Sequence, residues 1–164
     1  MVYSVAILEP SKGRLTNMLR DRLLLWEDAP SVLLTRGTQF SDFRGSYDLF
    51  AVLSADFTAK PPSADLSCRA LLLSGDVQGA LVLQIASQWA VSFGLSVKDS
   101  ITVSSVAPDT AVLALQRELV TLEHQVLEQQ EIPLAVPQGT SAAGMMALTG
   151  CLLLLGMPPE KLRV

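Results

Sequence analysis

The sequence has few of the side chains that build metal sites, disulfide frameworks and nucleic-acid surfaces. It contains one histidine, two cysteines and only 5% aromatic residues, and its 12 Lys and Arg are outnumbered by 16 Asp and Glu. A net charge of −4 and a pI near 4.9 disfavour binding to a phosphate backbone. One histidine and two distant cysteines do not make a four-ligand metal site. We therefore expect no nucleic acid and no metal.

We also expect no membrane segment and no signal peptide. The first ten residues, MVYSVAILEP, have no basic region, and their apolar run ends at Glu9, which favours a first strand. The most hydrophobic segment, 142–157, is interrupted by glycines and is shorter than the roughly 20 apolar residues of a spanning helix. Cys68 and Cys151 lie in separate apolar runs, which favours two reduced core thiols over a disulfide. We expect a cytoplasmic protein with no membrane span.

Apolar residues are abundant. They make up 49% of the 164 residues, against 17% charged residues, and the mean hydropathy is +0.38. This length favours one domain, 1–164, with a sizeable core. The apolar excess indicates a buried face, and we expect a homo-oligomer or a partner protein.

The stretch 68–96 indicates the fold class. Its pattern predicts a strand at 69–73, a helix at 77–89 capped by Asp76, and a second strand at 90–95. The helix prediction rests on apolar residues at spacings of three and four, namely Leu81, Val82, Ile85, Ala86 and Trp89. Two strands joined by a packed helix run parallel, so the sequence predicts a parallel sheet covered by helices.

The remaining elements are predicted from the same patterns. The segments before this stretch are strands at 2–8, 31–34 and 49–53, a helix at about 14–26, and loops at 36–47 and 58–67, the former with at most a short helix. The segments after it are strands at 101–106, 111–115 and 132–136, and a helix at about 141–155 that ends at Gly156. The segment 115–128 fits strand and helix spacing, and we favour strands. The result is a small antiparallel extension near residues 100–136.

Three stretches resemble the central, ATP-binding domain of the Mur ligases and folylpolyglutamate synthetase. LLLSGDVQGALVLQIASQWAVSFGLS is similar to that family's strand ending in N-A-D-D, its helix, and its strand ending in F-G-L. IPLAVPQGTSAAGMMALTGCLLLLGMPPEKL is similar to its strand, its G-x-H-N-x-x-N-x-x-A-A motif and its helix. VAILEPSKGRLTNML occupies the place of its phosphate loop, G-T-N-G-K-[ST]-[ST]. The resemblance implies a three-layer Rossmann-like α/β fold with a mainly parallel sheet flanked by helices.

The departures from these motifs concern the ATP chemistry. Pro10 stands at the first glycine of the phosphate loop, Arg14 at the lysine, and Leu15 at the hydroxyl that holds magnesium. The adenine-side histidine and asparagine of the family have no counterpart. Asp76 is the one acid left of N-A-D-D, and Asp56 is the one acid left of an Asp-His pair. Since the sequence ends at Val164, we also expect the family's carboxy-terminal domain to be missing.

Seven residues are candidates for binding. Ser11, Lys12, Gly13, Arg14 and Thr16 form a candidate anion site at a helix N-terminus, with an ordinary strand-to-helix turn as the alternative. Asp56 and Asp76 follow strands and are candidate pocket acids, although a role as caps is favoured.

Two further groups of residues have a functional and a structural interpretation. His124, beside Glu123, is interpreted as an exposed hairpin histidine rather than half of a catalytic dyad. Met145, Met146 and 152–155 are core residues or, alternatively, a partner surface. No catalytic residue is assigned.

These observations lead to a functional hypothesis. The chain is expected to be a non-catalytic Mur-ligase-like binding or protein-interaction module that has lost the ATP phosphate loop. The alternative is a divergent ATP-dependent amide ligase, or a nucleotide-binding subunit, completed by a partner chain. A third hypothesis is a small-molecule sensor with its pocket at the strand ends. We expect no resident cofactor, with residual phosphate or nucleotide binding left open.

Overall fold

The structure is a computed structural model that describes residues 1–9, 14–53, 62, 64–77 and 85–163. The strands are β1 (Val2–Leu8), β2 (Ser31–Gly37), β3 (Ser46–Val52), β4 (Ser67–Ser74), β5 (Ala86–Phe93), β6 (Ile101–Val106), β7 (Thr110–Leu115), β8 (Leu119–Val120), β9 (Val126–Leu127) and β10 (Gln130–Ala135). The helices are α1 (Arg14–Leu25), α2 (Ala142–Leu154), α3 (Pro159–Leu162) and a 3₁₀ helix (Phe40–Asp42).

Eight of these strands form one sheet in the order β10-β7-β6-β5-β4-β3-β1-β2. Neighbouring strands along the run β2-β1-β3-β4-β5-β6 are all parallel. Strand β7 is antiparallel to both of its neighbours, β6 and β10. The strands β8 and β9 form a separate antiparallel hairpin. The predicted α/β fold, with a mainly parallel sheet, flanking helices and an antiparallel extension near residues 100–136, is confirmed.

One face of the sheet packs against α1 and α2. Alternate residues of β1 point to this side, including Val5 and Ile7, which are fully buried. Every residue of α2 from Met145 to Leu154 is buried, so this helix is enclosed on all sides rather than amphipathic. The opposite face carries an aromatic cluster, in which the rings of Phe43 and Phe50 meet edge to face at 4.8 Å.

The predicted helix at 77–89 is wrong at its C-terminal end. Residues 86–89 belong to β5, while 78–84 lie outside the described residues. The apolar side chains of Trp89, Val91 and Phe93 alternate along β5 and pack toward the α2 side of the sheet. The indole Nε1 of Trp89 also donates a 3.2 Å hydrogen bond to the Val120 carbonyl of the β8–β9 hairpin. These contacts outweigh a helical spacing that the same residues also fit.

The boundaries of β1, α1 and α2 agree closely with the predictions, whereas β2 and β3 differ from theirs by three residues at one end. Strand β1 has its predicted bounds, and α1 and α2 end within one residue of theirs. The predicted loop 36–47 contains the 3₁₀ helix. The loop is shorter than predicted, because β2 extends to Gly37 and β3 begins at Ser46. Within 115–128, the strand interpretation is confirmed by β8 and β9. In the described ranges, no helix is both long and apolar enough to cross a membrane.

Candidate functional site

The carboxyl ends of the parallel strands define the edge at which a ligand site is expected. Strand β1 lies between β2 and β3, so the chain leaves β1 on one side for β2 and continues on the other with β3. In open α/β sheets, such a switch point opens a crevice outside the strand ends, where ligands bind. In this protein, Glu9 and the first turn of α1 lie at that point.

Glu9 is a buried carboxylate that caps α1. Its side chain is 2% exposed, and its Oε2 accepts hydrogen bonds from the backbone N–H of Thr16 at 2.9 Å and from the Thr16 hydroxyl at 3.1 Å. Thr16 is the third residue of α1, and its N–H is one of the donors that a helix start leaves without an intrahelical partner. The negative charge also lies at the positive end of the helix dipole.

Two neighbouring elements complete the surroundings of Glu9. The Arg36 Nε of β2 lies 3.8 Å from Glu9 Oε1, an ion pair with one partly exposed partner. Cys151 of α2 is fully buried, and burial raises the pKa of its thiol to about 12, with the charge of Glu9 contributing in the same direction. The carboxylate is therefore enclosed by β1, α1, β2 and α2.

The candidate anion site is only partly within the described residues. Ser11, Lys12 and Gly13 lie outside them. Arg14 is exposed, and its guanidinium Nη2 lies 3.1 Å from the position that a β-carbon would take on Gly139. Thr16 is buried and donates to Glu9. Of the two described members, one points toward the segment after β10 and the other is engaged by the chain's own carboxylate.

The two candidate pocket acids are not brought together in the described residues. Asp56 lies outside them. Asp76 is exposed in the turn after β4, where its backbone N–H donates a 3.3 Å hydrogen bond to the Ser74 hydroxyl. Asp76 is predicted to cap a helix at 77–89. Residues 78–84 of that helix lie outside the described residues, so the cap stays a prediction.

A buried acid that the sequence did not single out is Asp99. It is 4% exposed, and its Oδ2 accepts a 3.0 Å hydrogen bond from the Ser96 N–H. Gly75 and Gly94, which follow β4 and β5, leave room for this carboxylate, because a β-carbon at either would collide with it. The two glycines at the ends of neighbouring strands are the sequence feature that could have indicated a side chain, here Asp99, packed between these strands.

The remaining candidates have structural roles. His124 is exposed in the turn between β8 and β9 with a φ of 64°, so the hairpin interpretation is confirmed. Met145, Met146 and Leu152–Leu155 are buried in the core of this chain. Among the residues that the structure describes, no group of three or more His, Cys, Asp and Glu side chains could hold a metal ion.

The fold defines the class: an α/β protein built on a doubly wound, mainly parallel sheet. No family model matches the chain, and no curated protein matches it. The resemblance to the Mur ligase central domain therefore rests on the three quoted stretches alone.

Proposed function

We propose that this chain is a non-catalytic binding or protein-interaction module, similar in plan to a Mur ligase central domain, that has lost the ATP phosphate loop. The observation that carries the proposal is the position of Glu9. Its carboxylate binds the first turn of α1, where a nucleotide-binding protein of this class binds phosphate.

A phosphate at this helix start would have to compete with Glu9. The Thr16 N–H and hydroxyl already donate to the carboxylate, and a second anion beside Glu9 would meet like-charge repulsion. Moving Glu9 aside would leave a buried charge without its hydrogen bonds, which is unfavourable. The two donors of Thr16 are thus satisfied from within the chain.

The magnesium-binding hydroxyl is affected in the same way. Leu15, which aligns with that hydroxyl, is 2% exposed and packs in the core. Thr16 carries the next hydroxyl along the chain, and that group donates to Glu9. Magnesium requires oxygen ligands that are free to coordinate it, so this turn is unsuited to a magnesium-bound triphosphate.

A thermal-shift series tests the proposal directly. The chain is heated with ATP, ADP or inorganic phosphate, each with and without magnesium, because a ligand that binds the folded state raises the unfolding temperature. We expect no increase with any of the three. A magnesium-dependent increase that Arg14→Gln abolishes and Arg20→Gln preserves would contradict the proposal and favour the divergent ligase or nucleotide-binding subunit.

Self-association is part of the proposal. The apolar composition indicates it, and large apolar side chains are exposed at the start of β1, on the edge strand β2 and at the end of α1. These are Val2, Leu24, Leu25 and Leu33, each more than half exposed. A second copy of the chain, or a partner protein, would cover such side chains.

A further inference from the structure

The backbone of β2 has unpaired groups on its outer side. This strand ends the sheet, with β1 as its neighbour. The Gly37 carbonyl accepts a 3.1 Å hydrogen bond from the Glu9 N–H, so Gly37 turns its backbone groups toward β1. Because these groups alternate along a strand, those of Val32, Leu34 and Arg36 point away from the sheet. Among the described residues, none forms a hydrogen bond with these outward N–H and C=O groups.

The sequence of β2 does little to oppose the addition of another strand. Its seven residues, SVLLTRG, contain no proline and no acid, and Arg36 is the one charged residue among them. Val32 and Leu34 pack toward the core on the α1 side, so Leu33 and Thr35 face the opposite side of the sheet. Leu33 is 63% exposed there. An open edge of this kind favours recognition by strand addition.

Strand β2 is complementary to itself about Leu34. In an antiparallel pair with a twofold axis at Leu34, the outward groups of this residue face those of Leu34 in the second copy. In the same pair, the outward groups of Val32 face those of Arg36, and the reverse holds across the axis. Every outward N–H and C=O group of β2 then has a hydrogen-bond partner.

Adjacent positions of the axis satisfy fewer of these groups. An axis at Leu33 would bring Arg36 opposite Pro30, which has no N–H. An axis at Thr35 would extend the pair to Thr38, whose N–H already donates a 2.9 Å hydrogen bond to a carboxylate of its own chain. The hydrogen bonds therefore favour the axis at Leu34.

Charge and burial favour the same axis. With the axis at Leu34, four residues separate the two Arg36 positions, which is roughly 13 Å along the strands. This exceeds the Debye length of about 10 Å at 0.1 M salt, so the two charges are screened from each other. Leu33 then lies opposite Thr35 and diagonally next to Leu33 of the second copy, which covers its exposed side chain.

We propose that β2 pairs with β2 of a second copy, antiparallel about a twofold axis at Leu34, so that the two sheets join into one. This dimer rests on the self-association that the proposed function includes, and it adds the partner, the strand direction and the register. A strand of a different protein is the alternative occupant of this edge.

Hydrogen exchange of the wild-type chain tests the strand pairing without a substitution. The N–H groups of Val32, Leu34 and Arg36 should exchange at least about tenfold more slowly at concentrations where sedimentation shows a dimer than in dilute solution. The N–H groups of Leu33 and Thr35, which point toward β1, should be protected at both concentrations. Equally fast exchange of the outward groups in the dimeric sample would overturn the pairing.

Disulfide cross-linking tests the register. With the axis at Leu34, Leu33 faces Thr35 of the second copy with about 4.5 Å between their Cα atoms, whereas two Leu33 residues lie beyond the range of about 7 Å that a disulfide spans. Leu33→Cys and Thr35→Cys should thus cross-link when they are mixed and oxidised, and neither should cross-link alone. Val106→Cys is the control, because Val106 is 66% exposed away from this edge, and it should not cross-link with either variant.

The outcomes separate the dimer from the proposed function. A cross-link of Leu33→Cys or Thr35→Cys with itself would place the axis elsewhere and overturn the register. A dimer that forms none of these cross-links would overturn pairing through β2 and leave self-association in place. A chain that stays monomeric would overturn the dimer together with the self-association, and would leave this edge to a strand of a different protein. The thermal-shift series with nucleotides does not depend on any of these results.

Discussion

Glu9 and Thr16 show how one side chain determines the chemistry of a turn. The carboxylate lies directly after β1, and it reaches the third residue of α1 with two hydrogen bonds. It thereby stabilises the start of the helix and places a negative charge at the helix end that attracts anions in other proteins. The sequence shows the glutamate, but its burial depends on α2, which lies far along the chain.

Replacing Glu9 measures its contribution as a cap. Glu9→Gln keeps the size and one acceptor oxygen but removes the charge, so we expect the free energy of unfolding to fall by about 1–2 kcal/mol. Urea denaturation measures this change. Glu131→Gln, at an exposed position of β10, is the control and should change stability by less than about 0.5 kcal/mol. Equal stability of the Glu9 variant and the wild type would show that Glu9 is not a cap.

The two cysteines give a prediction about pH. Burial raises the pKa of the Cys68 and Cys151 thiols to about 12. A thiol whose folded pKa exceeds its unfolded value contributes stability that is complete below about pH 9 and is lost as the pH rises toward 12. We therefore expect the free energy of unfolding to fall between pH 8 and pH 10.5, estimated by denaturation at both values.

Thiol labelling checks the same point more simply. A thiol-specific reagent at pH 8 should leave both cysteines of the folded chain unmodified and label both after denaturation, because only the thiolate reacts. Rapid labelling of Cys151 in the folded chain would contradict its burial. Failure to label the denatured chain without reductant would indicate a disulfide instead.

At the scale of elements, α2 determines how tightly the helix layer packs on the sheet. Gly150 faces the sheet, and a β-carbon there would lie 2.9 Å from Leu72 Cδ2 of β4 and 3.2 Å from Ile101 Cδ1 of β6. This close approach explains a glycine in the middle of a helix, where it otherwise costs about 1 kcal/mol relative to alanine.

We expect Gly150→Ala to destabilise the fold by about 1–2 kcal/mol, because the overpacking outweighs the gain in helix propensity. The control is Gly144→Ala in the first turn of the same helix, where the new β-carbon would lie 3.2 Å from the Ser141 hydroxyl and 3.5 Å from the Thr140 methyl group. The midpoints of urea denaturation compare the two variants. A Gly150→Ala variant more stable than the wild type would show that α2 does not pack so closely on β4 and β6.

How far the sequence predicts the elements depends on whether their signals are local. Strand β1 and helix α1 are predicted well because apolar periodicity and flanking polar turns agree there. The prediction fails at 86–89, since Trp89 fits a helical face and an alternating strand equally, and its contacts with Val120 and the core decide. Asp99 was missed because its environment comes from Gly75 and Gly94, on two other segments.

At the scale of the whole molecule, the apolar side chains are divided between the buried core and the exposed surface. The enclosed helix α2 holds many of them inside the chain, with residues 145–154 all buried. Other apolar side chains are exposed at separate places, and among them Leu33 lies on an edge strand of the sheet. Strand β10 carries Pro133, which discourages further pairing, whereas the edge strand β2 has no proline and exposes Leu33 by 63%. The β2 edge is therefore where we place self-association.

Sedimentation velocity over a range of protein concentrations tests this placement. We expect the wild type to associate as concentration rises, and Leu33→Lys to weaken that association at least tenfold, because a charge on an edge strand opposes pairing. Val106→Lys is the control, since Val106 is 66% exposed at the end of β6, away from this edge. A wild type that stays monomeric at every concentration would refute self-association.

The proposed loss of nucleotide binding is tested most directly at the Thr16 amide, followed by heteronuclear NMR during titration with magnesium and ATP. If the Glu9 carboxylate holds this N–H, as the 2.9 Å hydrogen bond indicates, the Thr16 resonance stays at its position up to millimolar ATP. A saturable, magnesium-dependent movement of the Thr16 resonance would mean that phosphate reaches the first turn of α1, and it would contradict the central claim.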